Sequence, residues 1–198
     1  GYNSGTLRNI VLTTDVPYLT DESGKLLSAP PTAAVSGVIQ RRTVYAGVLA
    51  GRNSTGGSIA NCAVSGYVLQ NYTYSGSMLY MGGLVGGNLY HKTHSGRILS
   101  SEANCPLVQV SSYNASIYAG GFAGSNAGGS IQSCYALGVL KALDVSSSTV
   151  RLCGFAGENT GGALAYCYSA TALTAAGEAE VYGLTRTGGS AAQCYYLD

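Results

Sequence analysis

A glycine-punctuated pattern returns along this chain and limits what it can fold into more than any other feature. Residues 118–138 read YAGGFAGSNAGGSIQSCYALG, with a large apolar residue before Gly124, then Asn126, the pair Gly128-Gly129, an isoleucine, and Cys134-Tyr135. The same parts recur in the same order from Ala46 to Cys62 and from Cys153 to Tyr168. Looser copies begin at Met81, with an insertion before Cys105, and at Val181, without the Gly-x-Asn step. A half copy opens the chain near Ser4. The copies fall near 1–14, 45–81, 82–118, 119–152, 153–181 and 182–198. A chain that enters and leaves inside a repeat reads as a single repeat domain, 1–198, excerpted from a longer protein with neighbouring domains.

Each copy consists of short stretches rich in Val, Ile, Leu, Ala and Tyr between glycine corners. Four to seven residues are too few for a stable helix and suit a strand. The marker asparagines Asn53, Asn88, Asn126 and Asn159 stand 35, 38 and 33 residues apart, room for three short strands and their corners. One such unit cannot bury its own apolar face. Copies stacked in parallel, at about 4.8 Å per coil, place like residues over like. The expected fold is therefore all-β, a parallel β-solenoid (β-helix) of five to six coils. Its ladders follow from the alignment: Leu7, Ile59, Ile131 and Leu164 in one, Ile10 with Cys62, Cys105, Cys134, Cys167 and Cys194 in another, and the four asparagines in a third. The paired glycines at Gly56-Gly57, Gly128-Gly129 and Gly161-Gly162 are expected to supply left-handed backbone at the turns. Residues 15–44 make a longer connection, with a turn at Thr20–Gly24 and a degenerate coil ending in a strand over Ala34–Ile39. The insertion Leu89–Ser95 is expected to loop outward.

Charged residues make up only 10% of the chain and the net charge is +1. Without a basic run there is no electrostatic footprint for nucleic acid, and no apolar segment approaches the ~20 residues of a membrane-spanning helix. The remaining surface is Ser, Thr, Asn, Tyr and Gly.

The step Gly82-Gly-Leu-Val-Gly-Gly-Asn88, followed in regular copies by Gly-Gly-x-Ile-x-x-Cys-Tyr, resembles the GLUG-motif repeats of bacterial surface and secreted proteins. The resemblance spans roughly residues 46–195. It implies an extracellular or cell-surface setting and no catalytic residue. GLUG repeats occur in adhesin-like proteins and beside the protease domain of IgA-specific metallopeptidases. The implied function is a non-catalytic module, a stalk, spacer or adhesive surface. The alternatives are an accessory region of an IgA-type metallopeptidase and a carbohydrate-binding or lyase-like β-helix. The copy at Val181 departs from the pattern at Thr185-Arg186-Thr187, and Cys153 stands where other copies have glycine.

Residue by residue, no site for catalysis, cofactor or metal assembles. Five of the six cysteines hold one repeated position, which favours a ladder of small apolar thiols, although neighbouring coils would also lie within disulfide range. On that reading Cys134→Ser would cost more than Cys134→Ala. His91 and His94 fall on the insertion of a single copy and read as a polar loop. Glu178 and Glu180 read as a solvated turn, and the sequons at Asn53, Asn71 and Asn114 carry no assigned function. Tyr45, Tyr80 and Tyr118 precede the glycine step in three copies where the next two have Arg151 and Glu180, so the column is expected to face solvent. Two readings remain for it: a surface for a host glycan or protein partner, or tyrosines flanking a strand. Tyr135, Tyr168 and Tyr195 should lie opposite the thiols by strand alternation.

Overall fold

Glycine corners cut the chain into strands, and the computed structural model shows where each strand goes. It describes residues 1–13, 19–20, 26–28, 33–35, 43–70, 76–113, 115–146, 149–186 and 188–197, and within them every regular element is a β-strand. The course of the chain is clearest from Met78. Met78–Gly82 lies in one sheet, Val85–His91 in a second, Arg97–Leu99 in a third and Glu102–Tyr113 in a fourth. Ser116–Gly120 is then back in the first sheet, parallel to Met78–Gly82, with Tyr80 opposite Tyr118. The other copies follow the same order through the sheets, although the opening half copy enters at the second sheet and the passes from Cys153 and Val181 reach that sheet only through isolated bridges at Ala156 and Thr185. The result is an all-β arrangement of parallel sheets, consistent with the stacked coils expected from the repeat.

In-register return puts identical chemistry at one height of each neighbouring pass. Ile59, Ile98, Ile131 and Leu164 pair in succession in the third sheet, all fully buried, with Leu7 partly buried before them. Ile98 fills the place that the insertion hides in the sequence. Burying one such side chain is worth about 1.5–3 kcal/mol, so this ladder is a main source of stacking energy. At the corner between the first and second sheets, Phe122 and Phe155 stack with ring centroids 4.8 Å apart.

The glycines divide into three duties. At Gly128 the backbone is left-handed, φ 69°, as expected. Its neighbour Gly129 is required for space instead: a Cβ there would stand 2.3 Å from Asn88 Nδ2. The expectation that both glycines of the pair bend the backbone therefore holds for the first alone. At Gly124 a Cβ would lie 2.3 Å from the backbone nitrogen of Met81, because first- and second-sheet strands run backbone against backbone there.

The insertion folds as an antiparallel hairpin, Tyr90 opposite Ser95 and His91 opposite His94, projecting from the second sheet. It ends at Gly96, after which Arg97 pairs with Ser58 and Ser130 as if nothing had been inserted. This return corrects one expected ladder. Cys105 lies in the fourth sheet opposite Gly138, with its buried side chain beside Gly83, and the corner position of that copy belongs to Ser101. The insertion sits before the corner, so aligning on the cysteine alone shifts the copy by four residues. In the long connection, Leu19–Thr20 pairs with Leu26–Ser28 antiparallel, and Ala33–Val35 joins Tyr67–Gln70 in parallel. The strand predicted over Ala34–Ile39 is thus Ala33–Val35 as far as it is described; residues 36–39, the turn residues 21–24 and the sequons at Asn71 and Asn114 lie outside the described residues.

Candidate interaction surface

Asparagine is demanding to bury, and here five are buried in line. Asn3 Nδ2 donates to Asn53 Oδ1 at 2.8 Å, and the amides of Asn53, Asn88 and Asn126 each donate to the next asparagine, ending at Asn159, at 2.9 Å. The second proton of each amide reaches a backbone carbonyl of a neighbouring pass, as from Asn88 to Ser130 at 3.2 Å. Both donors are satisfied, so the column bonds consecutive passes alongside the second-sheet ladder, in which Asn3, Asn53, Asn88 and Asn126 are register partners.

At the next corner each pass turns through one left-handed non-glycine residue: Asn9, Asn61, Ser100, Ser133, Tyr166 and Gln193. The cysteine follows it. Cys62, Cys134, Cys167 and Cys194 each direct the thiol at the carbonyl two residues earlier, at 3.1–3.4 Å. Ser101 does the same with its hydroxyl, at 2.8 Å to Leu99. The side-chain atom also accepts: Cys62 N–H donates to Ser101 Oγ at 3.2 Å, and Ser101 N–H to Cys134 Sγ at 3.4 Å. The turn has carried the neighbouring carbonyl away, and sulfur or hydroxyl stands in for it. These cysteines are polar rungs, and the expectation of purely apolar filler is corrected on that point. All six cysteines are free. Burial pushes the Cys167 thiol up to about 12, with that of Cys134 higher still, so both remain protonated and unreactive near neutrality.

Tyr45, Tyr80 and Tyr118 stack face to face on the outer side of the first sheet, with centroids 5.0 Å apart at both steps. Arg52 lies over the Tyr45 ring at 5.1 Å and Arg151 over that of Tyr118 at 5.0 Å. Arg151 in turn donates to Glu180 Oε2 at 2.8 Å, which holds the Glu180 carboxyl below its ordinary range. Tyr80 is buried at 9% exposure and its neighbours are half-buried, which agrees with the reading of tyrosines flanking a strand and not with an open row. Burial first, and then the nearby Glu158, raises the Tyr80 phenol. Ring faces that cover one another and are capped by guanidinium groups offer no flat platform, so the column works as a stacked seam with an exposed rim.

The fourth sheet carries the second tyrosine column on its outer face, opposite the thiols. Tyr135 and Tyr168 stack at 5.1 Å, while Tyr195 pairs with Tyr168 in register. His91 and His94 face each other across the hairpin, and no cluster of three or more metal-ligating side chains forms among the described residues. Glu178 lies in an exposed bend, but Glu180 is tied to Arg151 and Tyr182.

The segment from Ala115 through both corners to Lys141 matches the family model described as the GLUG motif. Residues 115–141 are a GLUG motif. No curated protein and no solved structure matches the chain. In the GLUG segment the motif residues have structural duties: Gly124 for backbone contact, Asn126 for the amide column, Gly129 for its clearance and Cys134 for the polar rung. Two members of these columns, Ser101 and Asn3, were not anticipated. Counting from Gly96-Arg97-Ile98 onto Gly57-Ser58-Ile59 would have found Ser101, and Gly5 after Asn3 marks the other.

Proposed function

We propose that the chain is a parallel β-solenoid segment serving as a non-catalytic stalk or adhesive module of a bacterial cell-surface or secreted protein. The observation that carries this reading is the unbroken amide column from Asn3 to Asn159, which binds five successive passes without enclosing a reactive group. The GLUG motif at 115–141 supports a repeat module. A sparsely charged surface and protonated, buried thiols suit a part that carries load or contact without chemistry.

Such a module meets the outside of the cell. Antibody raised against residues 1–198 should label intact cells of the parent organism or detect the protein in the medium. Label confined to the cytoplasmic fraction would overturn the reading. Hydrolysis or elimination of a polysaccharide by the purified chain would overturn its non-catalytic part.

A further inference from the structure

The outer tyrosine column of the fourth sheet is closed at one step and open at the next. Tyr135 and Tyr168 stack at 5.1 Å with their planes 8° apart. Tyr195 is the register partner of Tyr168, yet no ring stack joins them among the described residues. An open groove of about 310 Å³ lies there instead, lined by Tyr166, Cys167, Tyr168, Gln193 and Tyr195. Tyr166, Tyr168 and Tyr195 are 57%, 37% and 65% exposed.

Tyr166 is an independent sign that the groove has a use. It occupies the left-handed corner, φ 55°, where the other passes have Asn9, Asn61, Ser100, Ser133 and Gln193. Asparagine enters that backbone readily, whereas a bulky ring does so at a cost, and such costs gather at functional positions. Here the bulky residue walls the groove, with Gln193 of the next pass at the same corner beside it.

The lining selects the occupant. It contains three phenols, an amide and a thiol, with no charged side chain, so nothing in it pairs with an ion. A sugar ring has an apolar C–H face that fits a tyrosine ring and hydroxyls that suit phenol and amide. The volume lies at the small end of ligand sites. We propose that this groove binds a neutral glycan, one sugar ring seated against Tyr168 and Tyr195, with Tyr166 as wall and the Gln193 amide bonding sugar hydroxyls. The proposal deepens the adhesive side of the surface-module reading and rests on that reading for where the glycan is met.

A glycan array of neutral, sialylated and sulfated sugars, probed with the 198-residue chain, is the test, with calorimetry on the tightest neutral oligosaccharide. Reproducible binding of neutral glycans is expected, weakened at least tenfold in Tyr166→Ser and in Tyr195→Ser. Tyr166→Ser should melt no lower than the parent, because Ser133 turns the same corner one pass earlier. Absence of binding, binding of charged glycans alone, binding unchanged by Tyr166→Ser, or preference for a proline-rich peptide over every sugar would each overturn the proposal. A cytoplasmic location would sink the surface reading and leave the array result standing, so the two failures are distinct.

Discussion

The pass from Met81 and the pass from Ala119 solve one problem with different materials. The second reaches its corner from Asn126 in five residues, Ala-Gly-Gly-Ser-Ile, and closes it with Cys134. The first takes ten from Asn88 to Ile98, expels six of them as the hairpin Tyr90–Ser95, and closes with Ser101. Both present their asparagine, isoleucine and corner acceptor at matching heights. What is held constant is therefore the set of inter-pass bonds. Chain length between them, and even the identity of the acceptor, can vary.

Breaking a shared bond should cost most. Asn126→Ala leaves the Asn88 amide without its acceptor and the Asn159 oxygen without its donor, both buried. At about 1–3 kcal/mol for each stranded group, a loss of about 3 kcal/mol is expected in urea unfolding. A loss under about 1 kcal/mol would mean that the column is not load-sharing.

Ser101 sharpens the comparison at the other corner. Because a hydroxyl already serves there, Cys134→Ser should be nearly neutral, while Cys134→Ala strands the Ser101 N–H and should cost about 1–2 kcal/mol. The apolar-filler account demands the opposite order, so paired unfolding curves decide between them.

The thiols add a pH dependence of stated sign. Folding raises the Cys105, Cys153 and Cys167 thiols to about 12. Their contribution is complete below the ordinary thiol value of about 8.5 and is lost as pH climbs from there through about 12. Iodoacetamide at pH 8 should label Cys194, the one partly exposed cysteine, and the other five after denaturation. Rapid native labelling of Cys134 would contradict its burial.

The smallest effect is expected where the passes differ. Replacing Tyr90–Ser95 by one glycine restores the short corner, Asn-Leu-Gly-Gly-Arg-Ile. Exposed loop residues contribute little, and loop length enters stability only logarithmically. The melting temperature should move by no more than a few degrees. A collapse would show that the hairpin, whose Tyr90 and His94 lie against Gly128 and Gly56, pins the neighbouring passes.

Period, strand type, the isoleucine ladder and the asparagine column were legible in the residues alone, because a repeat built of short strands has one economical way to bury its apolar face. The exposed insertion was legible too, being the place where one copy exceeds the period. Three matters waited on the fold. Cys105 left the corner because pairing, which follows Ile98 and not the cysteine, sets the register. The thiols became polar rungs because the left-handed residue before each one removes a carbonyl that no local pattern reveals. Tyr45, Tyr80 and Tyr118 closed into a seam, whereas no ring stack joins Tyr168 and Tyr195. A sequence lists which rings share a column, but whether two of them meet face to face is decided by how the side chains settle once the passes are stacked.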